Sequence, residues 1–348
     1  MKKIRLGKTN LIVSHSGFGA IPLQRLDDDS AARLLHAAFE GGINFYDTAR
    51  GYSTSEYRIG HALADVRDKI IIATKTHAQT GEHLEKDLAI SLAELGTYID
   101  IYQFHNPSFT PRPGGADGLY DAMLKAKAEG KIKHIGISSH LLELAKAHVK
   151  TGLFDTMQFP LSALSTNDEL ELIALCKEYD VGFIAMKGLA GGVITNAKPT
   201  FAYLRQFDNV VPIWGIEHMW QLTEFLEYEK NPPTLNEEMW AIINKDRAEL
   251  AGDFCRGCGY CQPCPAGIII QQAARMKHIL GRTALDGWIG ERGQAMMRKI
   301  NGCTNCGHCK EKCPYKLDVP NLLHANLAFY EEFIQVKKSF KTKQSPSS

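Results

Sequence analysis

Between residue 12 and about residue 230, eight short apolar runs alternate with longer amphipathic stretches, and this alternation constrains the fold of the 348-residue chain more than any other feature. The runs are SHSGFGAI (14–21), INFYD (43–47), KIIIATK (69–75), IDIYQFH (99–105), KHIGISS (133–139), TMQF (156–159), GFIAMK (182–187) and VVPIWG (210–215). Between them lie helical patterns such as SAARLLHAAFEGG, EKDLAISLAELG and LYDAMLKAKAEG, several stopped by glycine. Strand and helix in strict alternation argue for repeated βα units around a parallel sheet. Eight units predict an α/β fold of the (β/α)8 TIM-barrel kind. A Rossmann sheet alternates in the same way, but Gly17-Phe18-Gly19 lacks the third glycine and the following helix of the dinucleotide fingerprint.

In such a barrel the chemistry sits at the C-terminal ends of the strands. Asp47 closes the second run, Lys75 the third and His105 the fourth, and Tyr52 follows Asp47 in the next loop. An ionisable group at the end of an apolar strand is costly unless it is solvated or paired, so three in succession predict a shared site. The residue types fit one reaction. Tyr52 can protonate a carbonyl oxygen as hydride arrives at its carbon, Lys75 can stabilise the phenolate, Asp47 can keep Lys75 charged, and His105 can orient the oxygen. Run backwards, the same groups oxidise an alcohol.

Beyond Pro232 and Pro233 the pattern changes to a helical connector, NEEMWAIINKDRAELAG, and then to two cysteine quartets. These are Cys255, Cys258, Cys261 and Cys264, then Cys303, Cys306, Cys309 and Cys313, and each quartet ends in Cys-Pro. The second has the C-x2-C-x2-C-x3-C-P spacing of bacterial ferredoxins, in which the fourth thiolate reaches across to the other cluster. The first has two rather than three residues before its last cysteine. Zinc is the alternative for any C-x2-C pair, but two four-cysteine strings closing in Cys-Pro point to iron-sulfur clusters. The segment between the quartets reads as helical, which completes a small, mainly helical, dicluster ferredoxin-like domain. Cys176, on an apolar helical face, reads as a core thiol.

The stretch GGINFYDTARGYSTSEYRIGHAL resembles the signature of the aldo-keto reductases, with Asp47, Tyr52, Lys75 and His105 matching that family's catalytic tetrad. With its cysteine tail the chain is similar to the iron-sulfur branch of that family. The resemblance implies NADPH or NADH as hydride donor and two 4Fe-4S clusters. It places Ser138 and Ser139, with Gln158 on the next strand, at the nicotinamide carboxamide. Met186 stands where many members stack a tyrosine on the ring. Gly215, Gln221 and Glu224 fall in the cofactor stretch after the last strand; Gln221 replaces the arginine that many NADPH-dependent members place on the 2′-phosphate, which leaves NADH use open. By analogy Cys255, Cys258 and Cys261 share one cluster with Cys313, and Cys303, Cys306 and Cys309 share the other with Cys264.

Clusters pass single electrons and nicotinamide passes a hydride, so the two halves raise three readings. The barrel is a reductase whose clusters serve stability or sensing; or a ferredoxin or flavoprotein docks at the cysteine domain, where Lys310, Lys312 and Lys316 offer a basic face; or the barrel is a scaffold for an electron carrier or redox sensor. The expected substrate is a small-molecule carbonyl compound or alcohol, selected by loops around Arg50, 107–115 and Trp214. A net charge of +1 gives no nucleic-acid footprint, no apolar run reaches membrane-spanning length, and no secretory h-region follows the basic start; a cytoplasmic protein is expected. The expected boundaries are 1–232 for the barrel, 233–250 for the connector, 251–334 for the cluster domain and 335–348 for a disordered tail.

Overall fold

The computed structural model describes residues 1–250, 254–282, 286–313 and 315–343, which divide into two compact units. The first comprises 1–188 and 197–243, the second 189–196 and 244–348. This division departs from the expected boundaries in two places: the segment Leu189–Asn196 leaves the barrel unit, and the second unit begins within the connector helix.

In the first unit, β1 (Lys3–Arg5) and β2 (Ile12–Ser14) form an antiparallel hairpin. The barrel strands follow: β3 (Gly17–Gly19), β4 (Phe45–Asp47), β5 (Ile71–Thr76), β6 (Ile99–His105), β7 (Ile132–Ser138), β8 (Thr156–Pro160), β9 (Gly182–Met186) and β10 (Val210–Gly215). Every neighbouring pair is parallel, and β10 returns to β3 to close the barrel. The helices α1 (Asp28–Glu40), α2 (Ser55–Ala62), α3 (Gly81–Leu95), α4 (Leu119–Ala128), α5 (Leu142–Lys150), α6 (Asn167–Glu178) and α7 (Ala197–Leu204) lie in the crossovers, and α8 (Met219–Lys230) follows the last strand. Their starts are fixed by side chains: Asp27 accepts from the Ser30 amide at 2.7 Å, and Thr166 with Glu169 forms a capping box on α6.

All eight expected strands are present, but the first run splits. Of the expected 14–21 only Gly17–Gly19 joins the barrel, while Ser14 ends the separate strand Ile12–Ser14, which pairs with Lys3–Arg5. The break falls at buried polar residues that bond elsewhere: the Ser14 hydroxyl donates to the Ser16 carbonyl and the Ser16 hydroxyl to Glu229. Glu229 is also met by Arg205 at 2.9 Å, and the Trp214 indole donates to Ser16. Ile4, Leu6 and Val13 of the hairpin region share one apolar cluster with Phe45, Ile71, Ile184 and Val211, residues near the starts of their strands. The hairpin is also tied to loops that precede strands: the Ser14 amide donates to Asn44, and Arg5 pairs with Asp180 at 2.8 Å. It therefore floors the N-terminal end of the barrel and leaves the C-terminal end for chemistry.

The second unit contains the C-terminal part of α9 (Glu237–Glu249), then α10 (Ile270–Ala273), α11 (Met276–Arg282), α12 (Asp286–Ile289), α13 (Glu291–Arg298), α14 (His308–Glu311) and α15 (Val319–Lys343). Its core joins Ile268, Met276, Met297, Ile300, Leu323 and Tyr330 to the sulfurs of Cys255, Cys261 and Cys309. Asn326, buried on α15, accepts from the Lys277 amide and donates to the Ala274 and Leu322 carbonyls. α15 continues past Gln335 to Lys343, so the expected disordered tail is helical over that stretch; Phe329, Phe333 and Ile334 pack on the core and carry the helix outward. Residues 344–348, the rest of that expected tail, lie outside the described residues. Among the described residues no helix is long and apolar enough to cross a membrane.

Candidate active site and cysteine sites

Parallel register aligns the strand ends: Asp47 lies beside Ala73, Lys75 beside Gln103, and His105 beside Ser138. Lys75 Nζ sits 2.7 Å from Asp47 Oδ1 and donates to the Thr48 carbonyl at 2.6 Å. Gln103 and Gln158 each donate an amide N–H to Asp47 at 3.3 Å, so three side chains surround this one carboxylate. Both charges are buried. Burial pushes Asp47 up and Lys75 down, and each opposes the other's shift by its own charge.

The loop carrying Tyr52 is pinned to β5. Thr48 and Arg50 donate their amides to the Ala73 and Lys75 carbonyls, and Arg50 pairs with Glu56, whose other oxygen accepts from Thr74 at 2.5 Å. This brings the Tyr52 ring 5.4 Å from Lys75 Nζ and edge-on to His105, with ring centroids 6.0 Å apart. Asp47, Tyr52, Lys75 and His105 thus meet at one end of the barrel. Burial, and secondarily the Asp47 charge, push the Tyr52 phenol above its ordinary range, so it is protonated. Burial, aided by Lys75, holds His105 well below the usual imidazole range, so its ring is neutral. Its Nδ1 is buried without a hydrogen-bond partner among the described residues.

Several neighbours were not anticipated. Gln103 precedes His105 by two residues and His77 follows Lys75 by two, so the period-2 alternation of a strand would have put each on the same face as its partner. His77 stacks on His105 with centroids 3.8 Å apart and rings within 16° of parallel. His140, two residues after Ser138, is buried and contributes to the electrostatic environment of His105.

The residues expected at the nicotinamide are arranged as follows. The Ser138 hydroxyl accepts from the Asn106 amide, and that of Ser139 accepts from the Leu141 amide. Gln158 is buried and turned toward Asp47 and Gln103. Met186 ends β9, half-buried, against the apolar barrel cluster, and Gly215 is exposed at the end of β10. Gln221 accepts from the Glu217 and His218 amides and so caps α8, while Glu224 accepts from the Tyr228 hydroxyl at 2.6 Å. Arg25 forms a two-point pair with Glu217 beside that cap.

In the second unit, Cys264, Cys303, Cys306 and Cys309 line a common cavity, together with Cys261. Cys255 lies within electrostatic reach of Cys258 and Cys313, and Arg256 sits 4.7 Å over the ring of Tyr315, two residues beyond Cys313. Burial and then the neighbouring Cys255 and Cys258 push the Cys261 thiol up to about 12. Thiols that raise one another's pKa in a partly buried setting repel as thiolates, which is the donor set an iron cluster would neutralise. Cys176 stands apart, fully buried, its thiol pushed up to about 12 by burial. Of the expected basic face, Lys310 is paired with Asp318 at 2.9 Å, while Lys312 and Lys316 are exposed.

The model of the Aldo/keto reductase family matches residues 16–211, more than half of the chain, and the 4Fe-4S dicluster domain matches residues 254–318. The chain belongs to the aldo/keto reductase family. It is 31% identical over 214 residues to L-galactose dehydrogenase of Arabidopsis thaliana, covering 56% of this chain and 67% of that protein. It is 28% identical over 226 residues to the NADH-specific methylglyoxal reductase of Escherichia coli, covering 56% and 69%. The solved structure of the aldo-keto reductase AKR11C1 from Bacillus halodurans, in its holo form, superposes with a TM-score of 0.62 at 25% identity, covering 70% of this chain and 96% of that one. The protein is therefore an oxidoreductase of the aldo/keto reductase type with a C-terminal dicluster domain. NAD(P)H is the cofactor of this family, and a dicluster domain implies two 4Fe-4S clusters.

Proposed function

We propose that the barrel interconverts a small polar aldehyde or ketone and its alcohol, with Tyr52 as general acid and base. The observation that carries this reading is the convergence of Tyr52, held protonated, with neutral His105 and the buried Lys75–Asp47 pair at one barrel mouth. When bound, nicotinamide would supply hydride and the clusters would supply single electrons. His105 orients the carbonyl oxygen with a neutral N–H. Tyr52 gives that oxygen its proton, and Lys75, facing the ring, stabilises the phenolate left behind. Asp47 holds Lys75 in place through its Oδ1 while Gln103 and Gln158 fix the carboxylate.

NADH is the preferred donor in this reading. Gln221 supplies no cation, and the nearby Arg25 is already paired with Glu217, which disfavours a 2′-phosphate beside that cap. A relative named for NADH specificity, and relatives named for methylglyoxal and L-galactose, accord with an NADH-linked enzyme for oxygen-rich substrates. Ser138, Ser139 and Met186 border the site where the nicotinamide would lie. Cys264 joins Cys303, Cys306 and Cys309 among the five thiols that line one cavity, Cys261 being the fifth, and Cys313 lies beside Cys255; these neighbours favour the crossed arrangement, with Cys255, Cys258, Cys261 and Cys313 on one cluster and Cys303, Cys306, Cys309 and Cys264 on the other. A ferredoxin or flavoprotein partner and a cytoplasmic location belong to the same proposal.

The deciding experiment is oxidation of NADH and NADPH by anaerobically purified protein against a panel of small carbonyls, with and without a one-electron acceptor. Turnover without the acceptor supports a self-sufficient reductase. Turnover only with it makes the clusters part of the reaction path, and no turnover with any carbonyl overturns the reading.

A further inference from the structure

Arg275 lies between α10 and α11, half-buried, and among the described residues no carboxylate is found to offset its charge. Its Nε is sealed from solvent with no hydrogen-bond partner among those residues. An arginine cannot shed its proton, so a guanidinium placed there requires an anion. Two glycine backbones press against it. A Cβ on Gly257 would fall 3.2 Å from Nη1 and 3.3 Å from Cζ, and one on Gly191 would fall 2.8 Å from the same Nη1. Both glycines have positive φ, +65° and +71°, so a side chain is disfavoured at each on conformational as well as steric grounds.

What lies across Gly257 is sulfur: its amide donates to Cys255 Sγ at 3.4 Å. The Gly257 backbone thus lies against both the guanidinium and a thiol of the first quartet, and Cys255, as a cluster-bound thiolate, would be the neighbouring anion that opposes the cost of burying Arg275. On the other side, Nη1 donates to the Gly191 carbonyl at 3.1 Å, in the segment Leu189–Asn196 that starts three residues after Met186. We propose that Arg275 is the built-in counter-charge of the cluster held by Cys255, Cys258, Cys261 and Cys313, and that it ties the conformation of Leu189–Asn196 to that cluster. This rests on the cluster assignment above. Reduction adds one electron to the cluster without making or breaking a bond, so a fixed cation beside it favours the reduced form. The same guanidinium holds the loop carbonyl, so the segment's order depends on the charge that keeps the guanidinium in place.

The test uses anaerobic holoprotein and the variants Arg275→Gln and Arg275→Lys, with iron content, EPR-monitored redox titration and hydrogen exchange of peptides covering 189–196. Arg275→Gln is expected to lower the midpoint of one cluster at least tenfold in its reduction equilibrium, about 59 mV for a one-electron couple, and to leave the other unmoved. Exchange in 189–196 should rise at least tenfold, and Arg275→Lys should restore most of the midpoint. Unchanged midpoints, equal shifts in both clusters, or unchanged exchange would each overturn the proposal. Should Arg275→Gln fail to hold iron, Arg275→Lys decides: a retained cluster supports the counter-charge, and loss in both variants replaces it with a purely structural role. Wild-type protein without iron would sink the cluster assignment and this proposal together, whereas intact clusters with an indifferent Arg275→Gln would sink this proposal alone.

Discussion

The phenol of Tyr52 and the imidazole of His105 are both held in their neutral forms, and each is in the state that reduction of a carbonyl requires. Tyr52→Phe is expected to lower kcat by about 10²- to 10⁴-fold while leaving the cofactor Kd within about twofold, as steady-state kinetics and fluorescence titration would report. Because the phenol is pushed upward, the reduction rate should stay level from neutrality to about pH 9, below the ordinary phenol range near 10. A decline centred near pH 7 in wild-type protein that persists in Tyr52→Phe would assign the acid to another group. Two buried histidines away from the site carry a stability prediction. His15 and His148 are both lowered to about 4, chiefly by burial. Their folded values lie below the ordinary 6.5, so the unfolded chain binds more protons between the two. Their contribution to stability is intact above about pH 6.5 and is lost as pH falls toward 4. Urea midpoints across that window should fall less steeply in the double variant His15→Gln, His148→Gln. At this scale the convergence of Asp47, Tyr52, Lys75 and His105 was legible because each closes an apolar strand or sits just beyond it. Gln103 was passed over because an amide inside a strand is common, and His77 because it lies just beyond the end of β5; only their positions two residues from His105 and Lys75 mark them.

At the scale of elements, the barrel strands were readable as apolar runs, while the hairpin was not, since three-residue strands such as Lys3–Arg5 leave no periodicity to detect. The strands pack closely beside Gln103. A Cβ on Gly136 of β7 would lie 2.3 Å from Thr156 Oγ1 and 2.8 Å from Gln103 Cγ. Gly136→Ala should therefore destabilise the barrel by about 1–3 kcal/mol, seen as a lower urea midpoint, and should also lower kcat by displacing the Gln103 amide from Asp47. A loss of stability with unchanged kcat would detach Gln103 from the function proposed for Asp47. The end of α15 was misjudged because Lys- and Ser-rich composition suggested disorder, whereas the apolar residues Phe329, Phe333 and Ile334 anchor the preceding turns.

For the whole molecule, one chain carries two compact units, and the second has cysteines in its core. Cys306→Ser is expected to retain about half the iron of wild type, to open the second unit to limited proteolysis, and to leave the barrel fragment protease-resistant. Wild-type iron content in that variant would remove Cys306 from the ligand set. The division near residue 243 was only partly readable, because the connector helix runs without a break through the boundary and sequence marks helices more clearly than the surfaces they pack on.

The hairpin of Lys3–Arg5 and Ile12–Ser14 closes one end of a packed barrel, so the site at the C-terminal ends of the strands has a single mouth. Cofactor and substrate would have to enter and leave by the same door, so the one lying deeper goes in first and comes out last. Compulsory-order kinetics should follow, and product inhibition would tell which of the two lies deeper: the product that competes only against its own parent is the one that leaves last.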